Sequence, residues 1–238
     1  MPNPYFKFKK FTVYHDKCAM KVGTDGVLLG IWTELSDCNT ILDIGTGSGL
    51  IALILAQRSE GRNTSIDAID IDRSAILQAM ENVEHSPFEN IFCVHNSIQE
   101  YAPRCNKKYD LIVSNPPYFS SSLLSPDEQR TLARHSTALD ISDFIFASRS
   151  LLSERGRISL IFPYTEKNTL IDIAQNAGLS ASRITTVYPT PASLPKRVLI
   201  EFTLADQELK ETQLIIEKER HVYSPEFTEL AKDFYLKL

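Results

Sequence analysis

Cysteine is scarce and never paired: Cys18, Cys38, Cys93 and Cys105 stand 20, 55 and 12 positions apart among 238 residues. That spacing excludes the common zinc-binding and dithiol motifs and leaves reduced, structural thiols as the expectation. His15, His85, His95 and His221 show no ligand spacing either, so no metal site is expected. Long apolar runs are also lacking. Segments such as LIALILA at 50–56 fall far short of the roughly 20 residues a membrane span requires. The first residues, MPNPYFKFKKF, alternate lysine with aromatics where a secretory signal would carry an apolar stretch. A cytoplasmic protein without membrane contact is expected. Basic residues are in deficit: 25 Lys and Arg against 30 Asp and Glu give a formal charge of −5. A general polyanion binder is normally basic, so any nucleic-acid contact has to come from a local patch. No repeat, low-complexity tract or linker divides the chain.

What is present reads as alternating strands and helices. TILDI at 40–44 is a nearly continuous apolar run, as in a strand buried on both faces. LIALILAQR at 50–58 is apolar all round and predicts a helix deep against a sheet. SIDAIDI (65–71), NIFCVH (90–95), YDLIVS (109–114) and RISLIFP (157–163) supply four further strands. Asp72 caps a helix over Arg73–Glu84, in which Ile76, Leu77, Met80 and Val83 fall at helical spacing. Asp140 caps another through Leu152, ended by Gly156. A helix opened by Thr165 is closed by Gly178. Strands near 182–188 and 197–204 flank the proline-rich PTPASLP as an antiparallel edge pair, and a final helix runs from about Pro225 to Leu236. Repeated βα units of this kind build a Rossmann-like α/β fold: a doubly wound, mostly parallel, seven-stranded sheet with an antiparallel edge hairpin.

The segment LDIGTGSGL at 42–50 places Gly45, Gly47 and Gly49 directly after the first of these strands. Glycine there lets the backbone turn sharply and a ligand approach closely. A dinucleotide fingerprint, GxGxxG, would have its third glycine one position later, where Leu50 stands. Asp43, two residues before the first glycine, suits the ammonium of an amino-acid moiety and is unwelcome beside a pyrophosphate. Together these favour S-adenosylmethionine over NAD; a tight turn without a ligand is the plain alternative. Asp70 ends the second strand, where doubly wound folds place an acid that accepts both ribose hydroxyls. Asn96 and Ser97 follow the third strand and are candidates to read the cofactor's adenine edge, although a polar strand end would look the same.

The fourth strand runs into Asn115-Pro116-Pro117-Tyr118. Ligands of open α/β sheets bind at the C-terminal ends of the strands, so this tetrapeptide belongs beside the glycine loop. An amino nitrogen on a planar ring is a poor nucleophile, its lone pair being delocalised. The Asn115 side-chain oxygen and the Pro116 carbonyl would hold its two hydrogens and favour the developing ammonium in the transition state. The prolines fix that carbonyl, and Tyr118 offers a ring on which a planar acceptor stacks. No general base is required.

DIGTGSG, Asp70 and NPPY in this order are similar to class I methyltransferases that modify amino nitrogens. MKVGTDGVLLGIW at 20–32 and YSPEFTELAKDFYLKL at the C-terminus resemble the bacterial tRNA(Val) adenine-N6 methyltransferase family over essentially the whole chain. The resemblance implies that Lys21, Gly23, Thr24 and Asp25 border the cofactor's methionine end, that Asn115 to Tyr118 form the acceptor pocket, and that the partner is tRNA, methylated on the adenine 3′ of the anticodon. Residues 1–35 are expected to form an extension packed on the cofactor site, being too few to bury their own core, with 36–238 as one methyltransferase domain. Phe119, Arg134, His135 and Arg197 are candidate substrate contacts; Lys7, Lys9, Lys10, Lys17 and Lys21, interleaved with phenylalanines, could follow an RNA backbone, and Arg130 and Lys196 could add to the patch. Other acceptors for an NPPY enzyme are a protein glutamine, an rRNA guanine or a DNA adenine. A dinucleotide oxidoreductase and a non-catalytic binding module fit the glycine spacing and the intact NPPY less well.

Overall fold

Five apolar runs assemble in parallel. Strand β3 (Thr40–Ile44) lies between β4 (Ser65–Asp70) and β6 (Tyr109–Ser114); β5 (Ile91–His95) extends the sheet beyond β4, and β7 (Leu152–Pro163) extends it beyond β6. Burial on both faces explains the near-continuous hydrophobicity of the inner strands β3 and β6, Ile41 to Ile44 of β3 being all buried, whereas the edge strand β5 buries only Ile91. The structure is a computed structural model and describes residues 3–18, 20–116 and 140–237.

Beyond β7, β9 (Arg197–Thr203) pairs antiparallel with it, and β8 (Ser180–Tyr188) pairs antiparallel with β9. This pair is not the edge that its sequence suggests. A further strand, β10 (Lys210–Ile215), adds parallel to β8, giving eight strands in the order β10-β8-β9-β7-β6-β3-β4-β5. Thr185 and Thr212 share a hydrogen bond of 2.7 Å across that last pairing.

Helices cover both faces. Over one lie α1 (Thr24–Trp32), α2 (Leu50–Arg58) and α3 (Arg73–Glu84). In α2 every residue from Leu50 to Gln57 is buried, as its all-round apolar sequence requires. The other face carries α4 (Ile98–Tyr101), α5 (Ile141–Leu151) and α6 (Lys167–Asn176), whose Phe144, Ile145, Leu170 and Ala174 pack on Leu42, Ile112 and Ile158 of the sheet. Asp72 and Asp140 cap α3 and α5 as expected, accepting hydrogen bonds from Ser74 N and Ser142 N at 2.8 Å each.

Two local expectations need correcting. Gly156 does not end α5; the helix stops at Leu151 and β7 begins at once, carrying Gly156 within it. A Cβ on Gly156 would stand 2.6 Å from the Tyr109 carbonyl oxygen. The β6–β7 pairing also shifts register between Tyr109 and Leu111, so the glycine serves a close approach of strands. In α3, Leu77 and Met80 are 52% and 47% exposed, while the inward face carries Ala75, Ile76, Gln78, Ala79 and Asn82.

The buried polar pair has work to do at the N-terminus. A hairpin of β1 (Tyr5–Lys7) and β2 (Thr12–Tyr14) sinks Phe8, Phe11 and Val13 into the same core as α1 and α2. Asn82 bonds both backbone groups of Tyr14, at 2.9 and 2.8 Å, and donates to the Ser48 carbonyl at 2.8 Å. Gln78 accepts from Lys17 N at 3.2 Å. The hairpin is thereby tied to the loop that follows β3. At the other end of the chain, a small hairpin of β11 (Glu217–Glu219) and β12 (Val222–Tyr223) leads into α7 (Pro225–Ala231), shorter than its sequence suggests. No described helix is long and apolar enough to cross a membrane.

Candidate active site

Strands β3 and β6 are neighbours, and their last residues, Ile44 and Ser114, are register partners. The Ser114 hydroxyl donates 2.7 Å to the Ile44 carbonyl. Gly45 and Asn115 are the next residues on each strand, so the glycine loop and the start of the NPPY segment leave the sheet side by side. Asn115 is half-buried and Pro116 buried. Pro117 and Tyr118, with Phe119, Arg130, Arg134 and His135, lie outside the described residues.

The loop is anchored from below and from the side. Gly45 N and Thr46 N donate to the Ile69 carbonyl of β4 at 2.8 and 3.0 Å. Gly47 N donates to Asp70 Oδ2 at 2.9 Å. Gly47 adopts φ +56°, left-handed backbone that costs other residues about 1–2 kcal/mol, and a Cβ there would point into open space, as would one on Gly45. That space is a cradle into which a ligand can come against bare backbone.

Two carboxylates frame it. Asp43 is fully buried; its Oδ2 accepts from Thr46 Oγ1 at 2.6 Å and Ala52 N at 3.2 Å, while Oδ1 has no hydrogen-bond partner among the described residues. Burial pushes its carboxyl up to about 7, opposed by the Thr46 and Ala52 hydrogen bonds. Asp70 is held by the backbone amides of Gly47 and Asp72 at 2.9 Å each, yet burial raises its pKa as well. Cys18, its thiol pushed up to about 11 by burial and then by Asp70 and Asp72, marks the N-terminal segment as a close neighbour. A site built on desolvated anions favours a cationic ligand.

The remaining candidates fall into three groups. Asn96 N donates to the Asp70 carbonyl at 3.0 Å, so Asn96 adjoins the acid. Ser97 spends its hydroxyl as the N-cap of α4, accepting from Glu100 N at 3.2 Å. Gly23 is the N-cap of α1, with Thr24 and Asp25 in its first turn and Lys21 exposed just before it. Asp25 Oδ2 accepts from Arg197 Nε at 2.7 Å, joining α1 to the start of β9. Lys10 pairs with Glu60, Lys17 with Glu81 at 2.5 Å, and Lys9 with the Lys232 carbonyl at 2.5 Å, which ties three of the N-terminal lysines to the protein's own surface. Ile71, the last residue of the strand expected over 65–71, lies just beyond β4, which ends at Asp70. It is 57% exposed between Asp70 and Asp72, a bare aliphatic side chain at the mouth of the site. An apolar residue leaving a buried strand straight after the acid was the available signal.

Among solved structures, the chain is similar to a predicted O-methyltransferase from Agrobacterium tumefaciens, with a TM-score of 0.65 at 19% identity over 88% of this chain and 96% of that one. It is also similar to NSun6 from Pyrococcus horikoshii solved with SFG, with a TM-score of 0.59 at 17% identity over 78% and 53%. Both likenesses concern the fold, which is that of a class I methyltransferase. The family model described as methyltransferase small domain matches residues 21–169. Curated relatives narrow this to one branch. The chain is 56% identical over 100% of both lengths to the tRNA1(Val) (adenine(37)-N6)-methyltransferase of Parabacteroides distasonis. Proteins of the same name from Bacteroides fragilis and Trichodesmium erythraeum are 47% and 46% identical over 100% and 98% of each chain. The chain belongs to the family that these proteins form, within the methyltransferase small domain group.

Proposed function

We propose that this chain transfers a methyl group from S-adenosylmethionine to the exocyclic N6 of an adenine in tRNA, the adenine 3′ of the anticodon of tRNA(Val). The observation that carries the reading is the Ile44–Ser114 pairing, which sends the glycine loop and Asn115-Pro116 out of adjacent strands at one rim of the sheet.

The residues fit the cofactor. The open cradle above Gly45 and Gly47 admits it, and Asp43, whose Oδ1 has no partner among the described residues and whose pKa is raised, is relieved by the positive charge it brings. Asp70 is set to accept from the ribose hydroxyls, Ile71 to pack on the adenine ring with Asn96 at its edge, and the N-terminus of α1 at Gly23 to Asp25 to meet the methionine carboxylate. Lys21 stands at that same end. Bound there, S-adenosylmethionine supplies a methyl already activated on a sulfonium.

The chain's part is to hold and polarise the acceptor. The Asn115 side-chain oxygen and the Pro116 carbonyl accept the two N6 hydrogens, aim the nitrogen's lone pair along the methyl–sulfur axis and stabilise the positive charge that grows on it. The surplus proton leaves to water afterwards. Tyr118 stacks on the base, which has been drawn out of the anticodon loop at a cost of a few kcal/mol. Residues 1–35 pack on the cofactor site, the Asn82 link between Tyr14 and Ser48 supporting that role. A tRNA substrate places the enzyme in the cytoplasm. The test is to incubate the enzyme with labelled cofactor and total tRNA from a strain lacking it, then map the product by mass spectrometry. N6-methyladenosine beside the valine anticodon is expected; label in another nucleoside, or none in tRNA, refutes the proposal.

A further inference from the structure

A second cavity, of about 360 Å³, opens at the same rim of the sheet. Thr24 and Leu28 of α1 form one wall, Lys196 and Arg197 the mouth, and Glu217 and Tyr223 of the C-terminal hairpin the far side. We propose that it holds a nucleotide of the substrate RNA next to the adenine that is methylated; this rests on the RNA reading above.

Position comes first. Arg197 is the register partner of Pro163 at the end of β7, and β7 runs beside β6, which leads into Asn115. Ser114 is level with Leu160, so Arg197 stands two strand spacings across from Asn115 and about two residues further along, about 12 Å in all, a distance that one or two nucleotides cover. Thr24 and Asp25 border both this cavity and the proposed methionine end of the cofactor site, but the cavity is not the cradle over Gly45 and Gly47. None of its described lining residues belongs to the glycine loop or to β6. Helix α1 also stands between: a Cβ on Gly26 or Gly30 would touch Leu50 or Ile54 of α2. Leu28, two positions from either glycine and so about 200° round the helix, faces the other way, into the cavity.

Chemistry comes next. Tyr223 packs on Phe227 with ring centroids 4.8 Å apart, backed by Tyr235 at 6.3 Å, so one wall is an aromatic platform. Base stacking on such a platform tolerates any sequence. Carboxylates of Asp25 and Glu217 stand with the cations of Lys196 and Arg197 around the same space. Asp25 and Arg197 already pair with each other at 2.7 Å, so the charges left to a ligand are Glu217, which would repel a small anion, and Lys196, and a hydrocarbon would strand both. A nucleotide satisfies both, its amino or imino hydrogens donating to Glu217 while its phosphate meets the exposed Lys196.

The mouth is built rather than loose. Between Tyr188 and Arg197 the chain carries Pro189, Pro191 and Pro195. Thr190 and Ser193 bond through their hydroxyls at 2.6 Å, Glu217 N donates to the Pro189 carbonyl at 2.9 Å, and Tyr164 N donates to the Lys196 carbonyl at 3.1 Å. Little ordering entropy is then lost on binding. At the tip, Leu194 is 84% exposed, an apolar contact offered to an unstacked base.

Whole tRNA(Val), ligated around a single abasic nucleotide on either side of the target adenine, tests the proposal. Wild-type affinity should fall about tenfold for one of the two abasic RNAs, and Tyr223→Ala should feel that deletion at most twofold, the stacking partner being gone already. Lys196→Ala, a change at an exposed site outside the core, should lower the slope of log affinity against log salt by about one. Equal binding of both abasic RNAs and the intact tRNA by wild type overturns the proposal, as does an equal loss in wild type and Tyr223→Ala. An intact tRNA that is not methylated at all sinks the RNA reading itself; one that is methylated but indifferent to its flanking bases sinks only the cavity's role.

Discussion

Cofactor binding should expel a proton from Asp43. Its carboxyl is fully buried and pushed from the ordinary 3.8 up to about 7. A carboxyl whose folded pKa is raised costs stability once it ionises. The penalty sets in as pH climbs past the unfolded value and is complete above about 7, on the order of 4 kcal/mol for a shift of this size. An ammonium brought beside it removes that penalty and drops the pKa toward its ordinary range. At pH 6.5, half a unit below the folded value, about three quarters of the Asp43 population is protonated, whereas a free α-amine is almost wholly charged. Binding of S-adenosylmethionine should therefore release about 0.7 proton at pH 6.5 and instead take up about 0.8 proton at pH 8.5, where Asp43 is already ionised and most of the free α-amine is neutral. Calorimetry in buffers of different ionisation enthalpy measures this directly, with Asp43→Asn as the control that releases much less. A release that is absent in wild type, or unchanged in Asp43→Asn, refutes the placing of the cofactor's charge beside Asp43.

Other consequences concern the frame and the substrate. Gly156→Ala should destabilise the protein by about 1–3 kcal/mol in urea unfolding, because the new Cβ is driven to within 2.6 Å of the Tyr109 carbonyl oxygen; an unchanged midpoint would mean that the strands part freely there. Asn82→Ala should raise the Kd for S-adenosylmethionine severalfold, since it unties the N-terminal hairpin from the Ser48 carbonyl; unaltered affinity in calorimetry would detach the hairpin from the site. Methylation of tRNA should fall steeply between about 50 and 200 mM salt, as phosphate contacts predict, and a flat salt profile would point to a small or protein acceptor.

Most strands were legible because a parallel strand buried on both faces must be apolar throughout; YDLIVS and TILDI match β6 and β3 residue for residue. Strand β10 was not, and for the same reason: four of its six residues are exposed, with Leu214 its buried one, so no pattern sets it apart from a loop until β8 offers its edge. In α3 helical spacing alone picked Leu77 and Met80 for the core. Ile76 is buried as that spacing requires, but the other buried positions went to small and amide side chains, because the helix seats a glycine loop and a hairpin through hydrogen bonds. Glycine punctuation misled at Gly156, where a close strand approach and a helix end demand the same residue. The site's frame was readable from the order of its motifs: Asp43, Gly45, Gly47, Gly49, Asp70 and Asn115 gather at one rim. The Asp25–Arg197 pair, 172 positions apart, was invisible without the fold, and it shows Arg197, a candidate substrate contact, engaged with α1.

The account turns on the loops that close β3 and β6 acting as one site, one holding the methyl donor and the other the amine. Asn115→Ala, assayed for turnover on tRNA and for S-adenosylmethionine affinity in the same preparation, tests that division most directly. Turnover should fall by about 10²-fold or more with the cofactor's Kd changed less than twofold. Loss of both in equal measure, or near-normal turnover, contradicts it.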